Sequence, residues 1–155
     1  MTLHFEKVTS ENRKQIEKLK LFPNQKDYIE TVKECLIEAD ESNIWKTVGI
    51  YDDQILIGFA MYGFFQEIQS RGQVWLDRLL IDKDYQGKGY GKKAVIKLLR
   101  ILEDEYKQNK VYLSVYDINK AAIHLYKKIG FYFNGEYDTK GERVMVYEFK
   151  WWGFS

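Results

Sequence analysis

The sequence predicts an α/β fold, a single domain over residues 1–155 with a central mixed, twisted sheet flanked by helices. Three observations predict it. A strand-like run at residues 74–82 is followed by a helical stripe from Tyr90 to about Lys107 and by a second strand at residues 110–115, the order of a parallel, right-handed crossover. Two further pairs of strand-like runs, 45–51 with 55–62 and 131–136 with 144–149, read as hairpins and bring antiparallel neighbours to the same sheet. Tyr28, Ile29, Val32, Cys35, Leu36 and Ala39 repeat at helical spacing and define one buried stripe of a covering helix.

Composition bounds the class. At 155 residues the chain is long enough for one well-buried core. Hydrophobic content of 45% with 16% aromatic residues excludes a disordered chain. Lys plus Arg at 24 against Asp plus Glu at 23 leaves a net charge of +1, so nothing global draws the protein to nucleic acid or an acidic membrane. The single cysteine, Cys35, excludes an internal disulfide, and the opening Met1-Thr2-Leu3-His4-Phe5-Glu6-Lys7 has no apolar signal core, which together read as a cytoplasmic protein. The longest apolar run, residues 55–65, carries Gly58 and Gly63 and falls short of the roughly 18 residues of a membrane span.

Taken in order, Leu3 to Val8 begins with strand-like alternation, and Thr9-Ser10 offers an N-cap for a short helix that turns Ile16 and Leu19 inward. Pro23-Asn24 breaks the chain before the next helix, whose other face aligns Glu30, Glu34 and Glu38 at spacings of four. Like charges so placed cost an isolated helix only about 0.2–0.5 kcal/mol per pair, which leaves two readings: a solvated face partly neutralised by Lys26 and Lys33, or a face turned toward a cationic ligand. Asp52-Asp53 is the turn of the first hairpin, and residues 65–72 form a polar connection. In the strand that follows, Leu76 and Leu80 fall on one side and Asp77, Leu79 and Ile81 on the other. That phase puts Asp77 on a face with core residues, where a carboxylate is costly unless paired. The next helix buries Ala94, Val95, Leu98, Ile101 and Leu102. Asp117 or Asn119 caps the last helix, with Ala122, Leu125, Tyr126 and Ile129 inward and Gly130 ending it. The final hairpin turns around residues 138–142, and Trp151-Trp152-Gly153-Phe154 closes the chain.

Between the central strand and its helix lies Gln86-Gly87-Lys88-Gly89-Tyr90-Gly91-Lys92-Lys93, a glycine loop opening a helix whose free N–H groups can meet phosphate. Two common glycine loops are excluded by spacing. A dinucleotide fingerprint needs G-x-G-x-x-G, whereas Gly87, Gly89 and Gly91 are followed by Lys92, and a P-loop needs glycine at Gln86 and Ser or Thr at Lys93.

What remains, Gln-x-x-Gly-x-Gly at Gln86, Gly89 and Gly91, resembles the acyl-CoA pyrophosphate loop of the GNAT acetyltransferase superfamily. Asn119, Ala122, Leu125-Tyr126 and Gly130-Phe131 resemble the superfamily's following helix. Pro23 to Glu30 and Val74-Trp75-Leu76-Asp77-Arg78 resemble its bacterial diamine, spermidine and spermine acetyltransferases, and the likeness runs from about Val8 to Phe149. It implies a GNAT-like domain using acetyl-CoA. The strand at Leu79, Leu80 and Ile81 would hydrogen-bond the pantetheine arm, N–H groups of Gly87, Lys88, Gly89, Tyr90, Gly91 and Lys92 would hold the pyrophosphate, and Asn119 would bond near the arm. Two features depart from the family: Gln86 stands where many members have Arg, and the paired tryptophans of the tail have no counterpart. Lys88 restores some of the positive charge lost at Gln86.

Amine acetylation poses a proton problem. An alkylammonium with a pKa of about 10.4 is neutral only about once in 2,500 molecules at pH 7, which corresponds to about 4.6 kcal/mol. A carboxylate must help remove that proton, directly or through water. Asp77 is the first candidate and Glu30 the second; an ion pair of Asp77 with Arg78 or a lysine is the competing reading. Tyr126, seven residues after Asn119, matches the family's general-acid position and would give the leaving CoA thiolate a proton or a hydrogen bond. A flexible polycation calls for carboxylates and aromatic faces, and the candidates are Tyr28, Glu30, Glu34, Glu67, Trp75, Asp77 and Tyr85. Cys35 reads as a packing residue rather than an acyl carrier. His4 and His124 lack partners at metal spacing, so no metal is expected.

The leading expectation is acetyl transfer to a diamine or polyamine by direct attack in a ternary complex. The competing expectations are a sibling enzyme acting on a protein N-terminus, lysine, aminoglycoside or other small amine, and a non-catalytic acyl-CoA sensor. No nucleic-acid or membrane partner is expected. The resemblance and the aromatic tail, since exposed paired tryptophans often mark interfaces, point to a homodimer.

Overall fold

Alternating apolar residues pair into a seven-stranded mixed sheet in the computed structural model, which describes residues 2–21, 31–66 and 72–149. The elements are β1 (Leu3–Lys7), α1 (Arg13–Glu17), α2 (Val32–Asp40), β2 (Trp45–Asp52), β3 (Ile55–Phe65), β4 (Gln73–Ile81), α3 (Tyr90–Tyr106), β5 (Lys110–Val115), α4 (Lys120–Ile129), β6 (Tyr132–Tyr137) and β7 (Arg143–Glu148). The strand order is β1-β2-β3-β4-β5-β7-β6. β4 and β5 are parallel, with Val74 opposite Val111 and Trp75 opposite Tyr112, so the predicted crossover through α3 is present. β1–β2, β2–β3, β5–β7 and β6–β7 are antiparallel.

Contacts divide the chain into two compact units, Met1–Gly63 with Asp77–Ala94 and Phe64–Leu76 with Val95–Ser155. The first is built on Ile16 from α1, Val32, Cys35 and Leu36 from α2, and Phe59, Met61 and Leu80 from the sheet, all nearly inaccessible. Cys35, at 1% exposure, is a packing residue there. Gly58 permits a close approach in this unit: a Cβ there would come within 2.4 Å of the Leu80 carbonyl oxygen, and backbone cannot yield as a side-chain tip can. In the second unit Val111, Leu113 and Val115 alternate inward on β5, and Val144, Met145 and Val146 are buried on β7.

Several boundaries differ from the sequence reading for local reasons. Helix α1 starts after Asn12 rather than at Thr9-Ser10. The Thr9 hydroxyl accepts the Glu11 N–H at 3.2 Å and the Asn12 side chain accepts the Thr9 N–H at 2.8 Å, so these residues build a turn first. Asp52 is the last residue of β2, and the tight turn begins at Asp53, held at φ 56°. β3 continues to Phe65. On α4 only Tyr126 is buried; Ala122, Leu125 and Ile129 are half-buried. On α3 Leu99 is buried and Ile101 half-buried.

The central strand divides as its alternation predicts. Val74, Leu76 and Leu80 are buried on one face, while Asp77, Leu79 and Ile81 are half-buried on the other, where Ile81 packs close to Gly58 beside the buried Ile50. Asp77 and Arg78 point to opposite faces and are similarly buried, with side chains 22% and 16% exposed.

Candidate active site

The first unit holds the strand end and the glycine loop. Leu80 is buried, Leu79 and Ile81 are half-buried, and the Gln86 amide donates to the Ile81 carbonyl at 2.8 Å. Gln86 thus ties the loop to the strand. Asp82 fixes the turn between them: its N–H donates to the Ile57 carbonyl at 2.8 Å, and its carboxylate accepts the N–H groups of Lys20 and Asp84 at 2.9 and 3.0 Å. Gly87 and Gly89 sit at φ 76° and 87°, the left-handed region that side chains resist. A Cβ at Gly87 would meet nothing within 4 Å, so conformation rather than crowding calls for glycine there.

Tyr90 and Gly91 open α3. Among the described residues, its first ladder bond runs from the Lys93 N–H to the Gly89 carbonyl at 3.3 Å, which leaves the N–H groups of Tyr90, Gly91 and Lys92 ahead of the ladder. Lys88, Lys92 and Lys93 are exposed around them. Unladdered N–H groups at the positive end of a 17-residue helix, behind a loop without side chains at Gly87 and Gly89, fit a diphosphate.

The Tyr90 hydroxyl donates to Asp52 Oδ2 at 2.5 Å, and Asp52 Oδ1 accepts the Thr2 N–H at 2.8 Å. Those bonds, Tyr90 first, hold the Asp52 carboxyl below the usual carboxylate range, and Asp52 in turn pushes the Tyr90 phenol up. The Tyr85 ring meets Tyr90 edge-on at 6.0 Å, with the Lys88 ammonium 5.6 Å from its centroid. Asp77 pairs with Arg78 at 3.4 Å, while the same guanidinium nitrogen donates to the Asp77 carbonyl at 2.7 Å.

Glu34, one of the carboxylates assigned to a cation, is engaged in a cap. Its Oε1 accepts from the Thr31 N–H at 3.1 Å and hydroxyl at 2.8 Å, and Thr31 Oγ1 accepts the Glu34 N–H at 3.1 Å, a complete capping box. The signal, Thr31-x-x-Glu34, was present in the sequence. Tyr28, Glu30, Glu67 and the tail with Trp151 and Trp152 lie outside the described residues.

In the second unit Asn119 caps α4, its Oδ1 accepting the Ala122 N–H at 3.3 Å, which leaves its amide donor for other use. Asp117 instead pairs with Arg143 at 3.4 Å. Seven residues are almost two turns, so Tyr126 stands on the face of Asn119 about 10 Å along the axis. Tyr126 is 9% exposed, meets Phe131 edge-on at 5.4 Å, and its hydroxyl has no hydrogen-bond partner among the described residues. Burial alone pushes its phenol up to about 12. Trp75 stacks on Tyr112 at 5.4 Å and donates from Nε1 to Gln73 Oε1 at 3.1 Å.

Arg78 was named in the sequence reading only as a possible partner of Asp77, and that pair is present. The Asp52–Tyr90 bond escaped it, since it joins residues 38 apart with no shared motif.

The chain belongs to the acetyltransferase (GNAT) family, whose profile matches residues 9–131. It is 48% identical over 151 residues to a probable spermine N(1)-acetyltransferase of Bacillus subtilis subsp. natto (strain BEST195), covering 96% of this chain and 99% of that one. It is 47% identical, with the same coverage, to the spermine/spermidine N(1)-acetyltransferase of Bacillus subtilis (strain 168). The family profile and the relatives make this an acetyl-CoA-dependent N-acetyltransferase. In fold it resembles the spermidine N-acetyltransferase of Vibrio cholerae, solved with CoA and spermine, at a TM-score of 0.71 and 20% identity over 95% of both chains. It also resembles the aminoglycoside acetyltransferase AAC(6′)-Ib, solved with coenzyme A, at 0.79 and 18% over 99% of both.

Proposed function

We propose that this enzyme transfers acetyl from acetyl-CoA to a primary amine of a diamine or polyamine of the spermidine and spermine class, in one catalytic domain and by direct attack in a ternary complex. The observation that carries the substrate class is the 47–48% identity to the Bacillus relatives over 96% of the chain.

The residues then divide the work. Main-chain N–H groups between Gly87 and Lys92 hold the diphosphate, Leu79 to Ile81 align the pantetheine arm, and Asn119 bonds beside it. The amine proton leaves through water hydrogen-bonded to Asp77, whose carboxylate is held beside the Arg78 guanidinium at 3.4 Å. Tyr126 serves the leaving thiolate. A phenol pushed up to about 12 lies roughly 3.5 units above a thiol near 8.5, so its main contribution is a hydrogen bond rather than complete proton transfer. Of the remaining amine-side candidates, Trp75 and Tyr85 offer half-buried aromatic faces. The same reading places the enzyme in the cytoplasm as a homodimer.

Thiol release tests the mechanism. With acetyl-CoA and spermine both varied, intersecting initial-rate lines are expected. Parallel lines would require an acyl-enzyme and overturn direct transfer; no release with any di- or polyamine would remove the substrate class. The burial of Cys35, the one cysteine, in the core supports the ternary route.

A further inference from the structure

A carboxylate close to an anion cradle needs a reason, because its charge opposes the anion. Asp52 is such a carboxylate. Both oxygens are committed, Oδ2 to the Tyr90 hydroxyl at 2.5 Å and Oδ1 to the Thr2 N–H at 2.8 Å, short enough for charge-assisted bonds. Its backbone is equally tied, with Asp52 opposite Leu3 in the β1–β2 ladder and the Asp53 N–H donating to the Thr2 carbonyl at 2.9 Å. The Tyr90 hydroxyl is therefore anchored to sheet and not to another loop.

Tyr90 directly follows Gly89, and the glycine loop has a second anchor on its other side, where the Gln86 amide holds the Ile81 carbonyl at 2.8 Å. Only Gly87, Lys88 and Gly89 lie between, two of them in the left-handed region. Glycines lose the most backbone freedom on ordering, so a loop built on them gains most from fixed ends. The edge-on contact of Tyr85 with Tyr90 and the approach of Lys88 to the Tyr85 ring brace the same three residues.

We infer that Asp52, acting through the Tyr90 hydroxyl, is a positioning residue for the acetyl-CoA diphosphate: it fixes the start of α3 so that the N–H groups of Tyr90, Gly91 and Lys92 converge on the anion before it arrives. The inference rests on the reading of residues 86–92 as a diphosphate cradle. Preorganisation of this kind moves the cost of ordering from binding to folding, so its loss should fall on donors that carry the diphosphate and spare those that do not.

The test compares the wild type, Asp52→Asn and Tyr90→Phe with acetyl-CoA and with acetyl-pantetheine, which lacks the diphosphate, using spermine as acceptor. Hydrogen–deuterium exchange of residues 87–93 is measured in the ligand-free proteins. Asp52→Asn should raise the KM for acetyl-CoA about tenfold, the scale of one hydrogen bond to a charged group. It should change kcat, the spermine KM and kcat/KM for acetyl-pantetheine less than about twofold, and speed exchange at residues 87–93 but not in β5 or β7. The double variant should lose no more than either single one, because an amide at position 52 has one acceptor oxygen where the Thr2 N–H and the Tyr90 hydroxyl need two, and Tyr90→Phe takes away the hydroxyl itself. Equal losses with both donors, unchanged exchange, or additive losses would overturn the inference. Should Asp52→Asn fail to fold, Tyr90→Phe breaks the same bond and carries the same outcomes. A wild type that uses both donors equally well would remove the cradle reading, and the inference with it; a wild type that prefers acetyl-CoA beside an Asp52→Asn enzyme that keeps the whole preference would remove the inference alone.

Discussion

Tyr126 buries its ring, and burial pushes its phenol up to about 12, but its hydroxyl, without a hydrogen-bond partner among the described residues, is not sealed from solvent. A phenol with a buried body and an open tip can offer that tip to a ligand. Tyr126→Phe should therefore lower kcat about a hundredfold, within the range of one hydrogen bond to a charged group, with the acetyl-CoA KM changed less than about threefold. The variant has a second signature in stability. Between pH 10 and 12 the unfolded phenol has lost its proton and the folded one has kept it, so raising the pH through that window favours unfolding. The wild type should lose about 2 kcal/mol there that the Phe variant keeps, read from denaturant unfolding at pH 8 and pH 11.5. Tyr126 was legible at this scale because a spacing from Asn119 marked it. The pairing of Asp77 was legible only as an alternative: counting alternate positions separates two faces of a strand, but which face is the core depends on what packs against it. Here both faces are packed, and Asp77 and Arg78, on opposite faces, are both half-buried and pair at 3.4 Å.

At the scale of elements, helix ends were decided by side-chain to main-chain bonds of short range. Asn119 and Gly130 bound α4 as their residue types suggest, and β5 runs over Lys110–Val115 as its alternation predicts. Thr9-Ser10 misled because a hydroxyl that bonds two residues ahead makes a turn instead of a cap. For α2, the capping box explains Glu34 without any ligand. Glu34→Ala should cost about 1 kcal/mol in denaturant unfolding, whereas Glu34→Gln, which keeps an acceptor at the same place, should cost less than about 0.5 kcal/mol. If Glu34 also held an ammonium group, Glu34→Gln would raise the spermine KM while leaving stability nearly unchanged, so the two measurements separate cap from contact.

At the scale of the molecule, the parallel crossover and both hairpins were legible, but the order β5-β7-β6 was not foreseen. A hairpin can join a sheet by either of its strands. The deciding residues are Val144, Met145 and Val146, buried in succession on β7 as a strand covered on both faces requires, against Asn134, Gly135 and Glu136 on β6, which suit an edge. The cofactor loop could be read locally because one stretch carries it. Its support could not, because Thr2, Asp52 and Tyr90 meet only after β1, β2 and α3 have assembled. The account as a whole stands on the substrate. Its most direct test offers the purified enzyme acetyl-CoA with an equimolar mixture of spermine, spermidine, a short diamine, an aminoglycoside and a lysine-containing peptide, and identifies the acetylated product by mass spectrometry. The account predicts that spermine and spermidine take nearly all of the acetyl groups; preferential acetylation of the aminoglycoside or the peptide would contradict it.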